Sequence, residues 1–240
     1  MEAIKAVLFD MDGVLIDSER FYKNRRSKFL KKVKYSPHCS MEFTGFNERA
    51  IWETLVPEDI ELREELHSQY RKYCIKNPID YLGYGNPQVY DVFSKLKHDG
   101  ILIAVCSSSE PIIISNFLHA NGVDHFVDYV ISGTQCSQNK PSPEIYIRAI
   151  SALHVSAKQC LIVEDSSIGI TAANASDARV VRLSQYANDQ STLPNSGVVI
   201  ENLLDILSYI KHNDGEKFLK CKYTNCERKY YGSSPVPTNL

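Results

Sequence analysis

The sequence predicts an α/β protein: a parallel sheet with an α-helical cap inserted after its first strand. Three observations carry that expectation. Short apolar runs recur at Ala6 to Phe9, Ile101 to Cys106, Val127 to Ile131, Leu161 to Val163 and Val180 to Leu183, with helix-patterned stretches between most of them. That alternation is the rhythm of strand–helix–strand units. About ninety residues separate the first run from the second, too many for a single crossover helix, and their texture is charged and helical.

Taken in order, the first strand stops at Asp10 and Asp12, and Gly13 turns the chain. The insertion opens with a helix over Glu19 to about Val33, where Tyr22, Phe29, Leu30 and Val33 share one face with Arg26. A second helix begins near Asn47 and carries Ile51, Trp52 and Leu55. A third follows Glu58 and runs to about Cys74, with Leu62, Leu66, Tyr70 and Tyr73 on one side. Pro and Gly cluster from Pro78 to Asn86, where the chain should return to the sheet. A final helix is expected over Asn202 to Ile210. The domain division is therefore 1–16 with 84–212 as the core, 17–83 as the cap, and 213–240 as a C-terminal extension, basic and then rich in Gly, Ser and Pro, expected to be partly mobile.

Bulk properties narrow the function. With 27 Lys and Arg against 29 Asp and Glu, the net charge of -2 gives no general attraction to nucleic acid or to an anionic membrane. No segment approaches the ~20 apolar residues that span a bilayer, and the start shows no signal-peptide pattern, so the expectation is a cytoplasmic protein. The seven cysteines fit reduced thiols better than a disulfide framework. Cys221 and Cys226 supply two of the four ligands a structural zinc wants, and are read as unligated.

The polar residues at the strand ends carry the chemistry, because open α/β sheets bind ligands at the carboxyl ends of their strands. Asp10 and Asp12 close the first run, Ser107, Ser108 and Ser109 the second, and Glu164 and Asp165 the fourth, while Lys140 precedes a helix in NKPSPEIY. Carboxylates two apart in an extended chain point to one side and repel unless a cation or a proton-transfer role compensates. Mg²⁺ suits such oxygen ligands together with a substrate phosphate. A hydroxyl and an ammonium can hold the phosphate, which makes Ser107, Ser108 and Lys140 the phosphate-binding candidates. One aspartate is left free to attack.

In order, DMDGV at Asp10 to Val14, Ser107, KPSPEIY at Lys140 to Tyr146 and EDSSIGITAA at Glu164 to Ala173 resemble the motifs of the haloacid dehalogenase superfamily, in its beta-phosphoglucomutase-like and sugar-phosphatase branch. The resemblance covers roughly Ala6 to Leu183. It implies a Rossmann-like core, a nucleophile at Asp10 that forms an aspartyl-phosphate, and an acid then base at Asp12. It further implies Mg²⁺ held by Asp10, Asp165 and the Asp12 carbonyl, with Glu164 beside them or bound through water. Dehalogenase-like members lack the second acid, so Asp12 points to phosphate esters. Gly169, Ala172 and Ala173 are read as packing residues that let a helix approach the sheet.

In the insertion, Arg26 on its apolar face and Arg49 after the TGFNE loop are candidates for substrate specificity, since either could meet a second anionic group. A snorkelling or surface role weighs equally for each. Tyr22 stands where mutase-like relatives carry a histidine, and Arg49 is displaced by one residue from their cap arginine. The expected function is hydrolysis of a small phosphomonoester, a sugar phosphate first among them. A sugar-phosphate mutase is the first alternative, and a non-catalytic binding protein of the same fold the second. The expected partner is that phosphorylated metabolite, with a monomer slightly favoured.

Overall fold

Six parallel strands in the order β3-β2-β1-β4-β5-β6 make one sheet, in a computed structural model that describes residues 2–37, 39, 43, 48–184 and 198–212. The strands are β1 (Ala6–Phe9), β2 (Leu102–Ser107), β3 (Tyr129–Ser132), β4 (Cys160–Glu164), β5 (Arg179–Leu183) and β6 (Val198–Ile200). In chain order the helices are α1 (Ser18–Lys32), α2 (Glu48–Leu55), α3 (Ile60–Lys76), α4 (Tyr81–Tyr84), α5 (Val89–His98), α6 (Pro111–Ala120), α7 (Glu144–Ala152), α8 (Ser167–Asn174) and α9 (Asp205–His212). Among the described residues, no helix is long and apolar enough to cross a membrane.

Why β1 is apolar throughout follows from its neighbours: it pairs with β2 on one side and β4 on the other, and helices cover both faces. Val7 and Phe9 join a core that includes Val92 and Phe93 of α5, Phe117 of α6 and Ile206 of α9. Ala6 and Leu8 face the other way, into a core with Tyr146 and Ala149 of α7 and Ile170 and Ala172 of α8. The two-residue period of the strand thus feeds two helix layers.

Helices α1, α2 and α3 bury a separate aromatic cluster of Phe29, Leu30, Trp52, Leu55, Leu66 and Tyr70, in which the Phe29 and Tyr70 rings meet edge-on at 5.2 Å. Side-chain caps start these helices: Asp17 accepts from the Arg20 amide at 3.3 Å and Asp59 from the Leu62 amide at 2.9 Å. The chain enters and leaves them along adjacent paths, with the Asp17 amide donating to Tyr84 at 2.9 Å and the Asn86 amide to Leu15 at 2.8 Å. Asn86 is buried there and its side chain donates to the Val14 carbonyl at 3.2 Å.

Two elements depart from the sequence expectations. The short helix α4 forms where Pro and Gly suggested only a connection, nucleated by Asp80, which accepts from the Gly83 amide at 2.9 Å. Strand β6 is a three-residue edge strand that was not foreseen, and the last helix starts three residues late, at Asp205. The expected C-terminal extension over 213–240, with Cys221 and Cys226, lies outside the described residues.

Candidate active site

The carboxyl ends of β1, β2 and β4, three neighbouring strands, bring Asp10, Ser107 and Glu164 to one rim. Lys140 reaches the same place from the loop before α7. Its ammonium donates to Asp10 Oδ1 at 2.6 Å, to Glu164 Oε1 at 2.7 Å and to the Cys106 carbonyl at 3.3 Å. Asp10 is 7% exposed and Glu164 wholly buried. Burial works against the charge on Lys140, but Asp10 and Glu164 outweigh it and raise its pKa well above the usual lysine value. Burial likewise raises the Asp10 pKa well above the carboxylate range; Lys140 opposes this, and the charges of Glu164, Asp165 and Asp12 reinforce it.

Glu164 is the hub of this network. Its Oε1 accepts from Lys140 and from the Tyr146 hydroxyl at 2.6 Å. Its Oε2 accepts from the Asp165 amide at 3.1 Å and from the Ser166 amide and hydroxyl at 3.3 and 3.2 Å. Burial pushes its pKa up, yet the Lys140 charge and these hydrogen bonds carry it below the usual glutamate value. A Cβ at Gly169 would stand 1.8 Å from Glu164 Oε1. The glycine therefore admits the carboxylate itself beneath α8, a sharper reason than helix packing.

Asp165 is the least compensated acid. No hydrogen bond reaches its carboxylate from another described residue, and burial, with the Glu164 charge adding, pushes its pKa up to about 7. It lies against Gly13, whose φ of +85° and whose space both exclude a side chain: a Cβ would sit 1.9 Å from Asp165 Oδ2. Asp10, Glu164 and Asp165 each offer a carboxylate oxygen within 4.8 Å of the others. Three acids around one lysine leave negative charge in excess, and the all-oxygen donor set fits a hard divalent cation.

Asp12 is held from the β2 end. Its Oδ2 accepts from the Ser109 hydroxyl at 2.8 Å and from Ser107 at 3.3 Å, and the Ser109 amide donates to Ser107 Oγ at 3.0 Å. Ser108 is exposed and its hydroxyl stands outside this network. Ser109 and Tyr146 were therefore missed as site residues. Ser109 lies in the bend that follows β2, where strand alternation no longer fixes which way a side chain points.

The two arginines of the insertion are placed very differently. Arg49 is on α2 with its side chain 88% exposed, paired with Glu53 at 2.8 Å. Arg26 is only 4% exposed, with its guanidinium 5.3 Å from the Phe43 ring. Burial pushes the Tyr22 hydroxyl up, with the Asp12 charge next in weight, so α1 presents Tyr22 toward the acid rim.

A family model for haloacid dehalogenase-like hydrolases matches residues 7–183, most of the chain and every strand-end residue just described. The chain belongs to the haloacid dehalogenase-like hydrolase family. Its relatives in that family include a phosphoglycolate phosphatase of Aquifex aeolicus, 26% identical over 80% of this chain and 91% of the relative. Another is a phosphorylated carbohydrates phosphatase of Thermotoga maritima, 26% identical over 86% of this chain and all of the relative. Among solved structures, beta-phosphoglucomutase from Clostridium difficile superposes with a TM-score of 0.64 at 22% identity, covering 92% of this chain and 99% of that one. That likeness is one of fold. This haloacid dehalogenase-like chain is thus a hydrolase in type, and these two relatives, matched over nine-tenths or more of their own length, are phosphatases of small phosphorylated molecules.

Proposed function

We propose that the chain is a Mg²⁺-dependent phosphatase that hydrolyses a small phosphomonoester, a sugar phosphate first among the classes, through an aspartyl-phosphate at Asp10. The observation that carries this reading is the asymmetric holding of the two aspartates. Lys140 fixes Asp10 Oδ1 at 2.6 Å, leaving the other oxygen to attack phosphorus, while Ser107 and Ser109 hold Asp12 Oδ2. Attack forms the Asp10 Oδ–P bond as the ester P–O bond breaks, and Asp12 delivers its proton to the departing alkoxide. Asp12, now ionised, takes a proton from water as that water attacks phosphorus, which releases inorganic phosphate and frees Asp10.

Lys140 serves throughout as a fixed positive charge beside the phosphoryl oxygens, and Ser107 and Ser108 would offer further donors to them. Asp10, Asp165 and the Asp12 main-chain carbonyl would hold the cation, with Glu164 fixing the lysine beside them rather than giving a free oxygen. When bound, the cation supplies charge neutralisation to the phosphoryl oxygens and favours ionised Asp10 and Asp165. The helices α1–α4 would act as a cap that closes water in or out.

Phosphate release from a panel of sugar and other small phosphomonoesters, with and without Mg²⁺, tests this. Release by the wild type should require Mg²⁺ and fall at least ~1000-fold in Asp10→Asn. Conversion of one sugar phosphate to an isomer without phosphate release would favour the mutase instead. No turnover of any kind would return the chain to a binding role.

A further inference from the structure

Outside the strand-end site, α1 borders a second concave surface, a cavity of about 170 Å³ walled by the Phe21, Tyr73 and Tyr84 rings and by Arg25 and Lys28. None of its lining residues is acidic, and none belongs to the acid rim. Two cations therefore share one small space with no carboxylate in its walls. Like charges so placed repel, and an anion that enters between them relieves the repulsion.

Arg25 is a positioned donor rather than a roaming surface charge. Its Nε donates to the Tyr70 hydroxyl and its Nη1 to the Asn77 carbonyl, each at 3.3 Å, and its guanidinium stands 5.0 Å from the Phe21 ring and 5.3 Å from the Tyr22 ring. Both hydrogen-bond partners are uncharged, so the positive charge is not neutralised, and among the described residues no bond takes up Nη2. Lys28 follows three residues later on the same side of the helix. It is exposed and has neither an ion pair nor a hydrogen bond among the described residues. Rings make the rest of the wall: Phe21 and Tyr84 meet edge-on at 5.2 Å. The Tyr84 hydroxyl accepts from the Asn24 side chain at 3.2 Å, which leaves its own proton for an acceptor in the cavity.

We propose that this cavity is a binding site for a small organic oxyanion, its head held by Arg25 and Lys28 and its carbon body, about one six-membered ring in size, packed against Phe21, Tyr73 and Tyr84. A cavity of ~150 Å³ accepts a benzene ring, so the space suits one ring and is too small for a nucleotide. With no acid among its lining residues, the cavity offers binding and not proton transfer. An occupant would tie α1 to the end of α3 and to α4. The Tyr84 carbonyl accepts there from the Asp17 amide at 2.9 Å, where the chain passes between the sheet and the inserted helices. A ligand at that joint is placed to regulate, whatever reaction the rim performs.

Titration of the full chain with four probes, followed by NMR amide shifts without Mg²⁺, measures binding and locates it. Benzoate and phenylphosphonate join a ring to a carboxylate or a phosphonate, benzyl alcohol keeps the ring without the charge, and inorganic phosphate keeps the head without the ring. One or both of the joined probes should move the amides of Phe21–Lys28, Tyr73–Asn77 and Tyr84, binding at least ~10-fold more tightly there than benzyl alcohol or phosphate, and the tighter of the two names the head. Lys28→Glu sets a carboxylate at the cavity and should weaken that binding at least ~10-fold, with Lys28→Gln between it and the wild type. Any shifts that phosphate or phenylphosphonate cause at Asp10, Asp12 and Ser107 should be the same in all three proteins. Shifts confined to the rim, benzyl alcohol binding as tightly as the joined probes, or binding unchanged in Lys28→Glu would each overturn the assignment. Both variants should keep the Tm of the wild type, because Lys28 is exposed and unpaired; if Lys28→Glu failed to fold, binding unchanged in Lys28→Gln would overturn the assignment in its place.

Discussion

At the sheet rim, Asp10, Lys140 and Glu164 are buried together and each finds an opposite charge within 2.7 Å, whereas in the inserted helices Arg26 is buried as deeply beside an aromatic ring, with no carboxylate paired to it among the described residues. These three groups are paired before any ligand arrives: their geometry is set by strand ends, one lysine and Tyr146. The cap carries its charge open. The difference teaches that burial alone does not decide how a charge is answered: at the rim an opposite charge does it, in the cap an aromatic face.

Removing the lysine is the strongest way to break that contrast. Lys140→Met keeps volume but leaves Asp10 and Glu164 as buried like charges, a change that should cost about 3–5 kcal/mol in urea unfolding and abolish phosphate release. Arg26→Met removes a charge of similar burial and should cost nothing in stability. If both substitutions destabilised the protein equally, the open charge in the cap would be a structural one and the contrast would vanish.

A milder cut sharpens the account of the rim. Tyr146→Phe deletes one hydroxyl, 2.6 Å from Glu164 Oε1, and leaves the ring under Lys140 at 5.0 Å. A hydrogen bond to a buried carboxylate is worth about 1.5–3 kcal/mol, so unfolding should show a loss in that range. Because Lys140 still holds Glu164, kcat should fall by about 10-fold or less with KM little changed. A loss as large as that of Lys140→Met would move the hub of the site from Lys140 to Tyr146.

Much of this was legible because strand ends announce themselves. Apolar runs that stop at DMD, CSSSEP and VED place their polar residues at a sheet rim without any knowledge of contacts, and the parallel direction of the strands follows from the helices between them. What stayed illegible depends on partners far apart in the chain. Tyr146 occupies an apolar-facing turn of α7 and reads as core; only the fold brings its hydroxyl to Glu164. Gly169 reads as a helix-packing glycine until a carboxylate is seen beneath it. Strand β6 is three residues of edge strand, too short for a period of two to show. Arg26 was visible as a charge on an apolar face, but only the fold shows that the guanidinium lies by the Phe43 ring with no ion pair among the described residues.

The smallest expected effect concerns Asp165, the rim's own exception, since it alone lacks a protein partner. Without a cation its pKa is about 7, against about 3.9 when unfolded. An acid whose folded pKa is raised favours the folded state most below the unfolded value, and that contribution is lost as pH rises from about 4 through 7. A divalent cation binds the ionised form, so below pH 7 it must displace a proton, and its apparent affinity should drop by up to ~10-fold per pH unit. The rise in Tm produced by a fixed Mg²⁺ concentration should then be larger at pH 8 than at pH 6. Asp165→Asn should shrink the rise and flatten its dependence on pH. An equal rise at both pH values in the wild type would show that Asp165 is already compensated at neutral pH, and the rim would then hold no open charge.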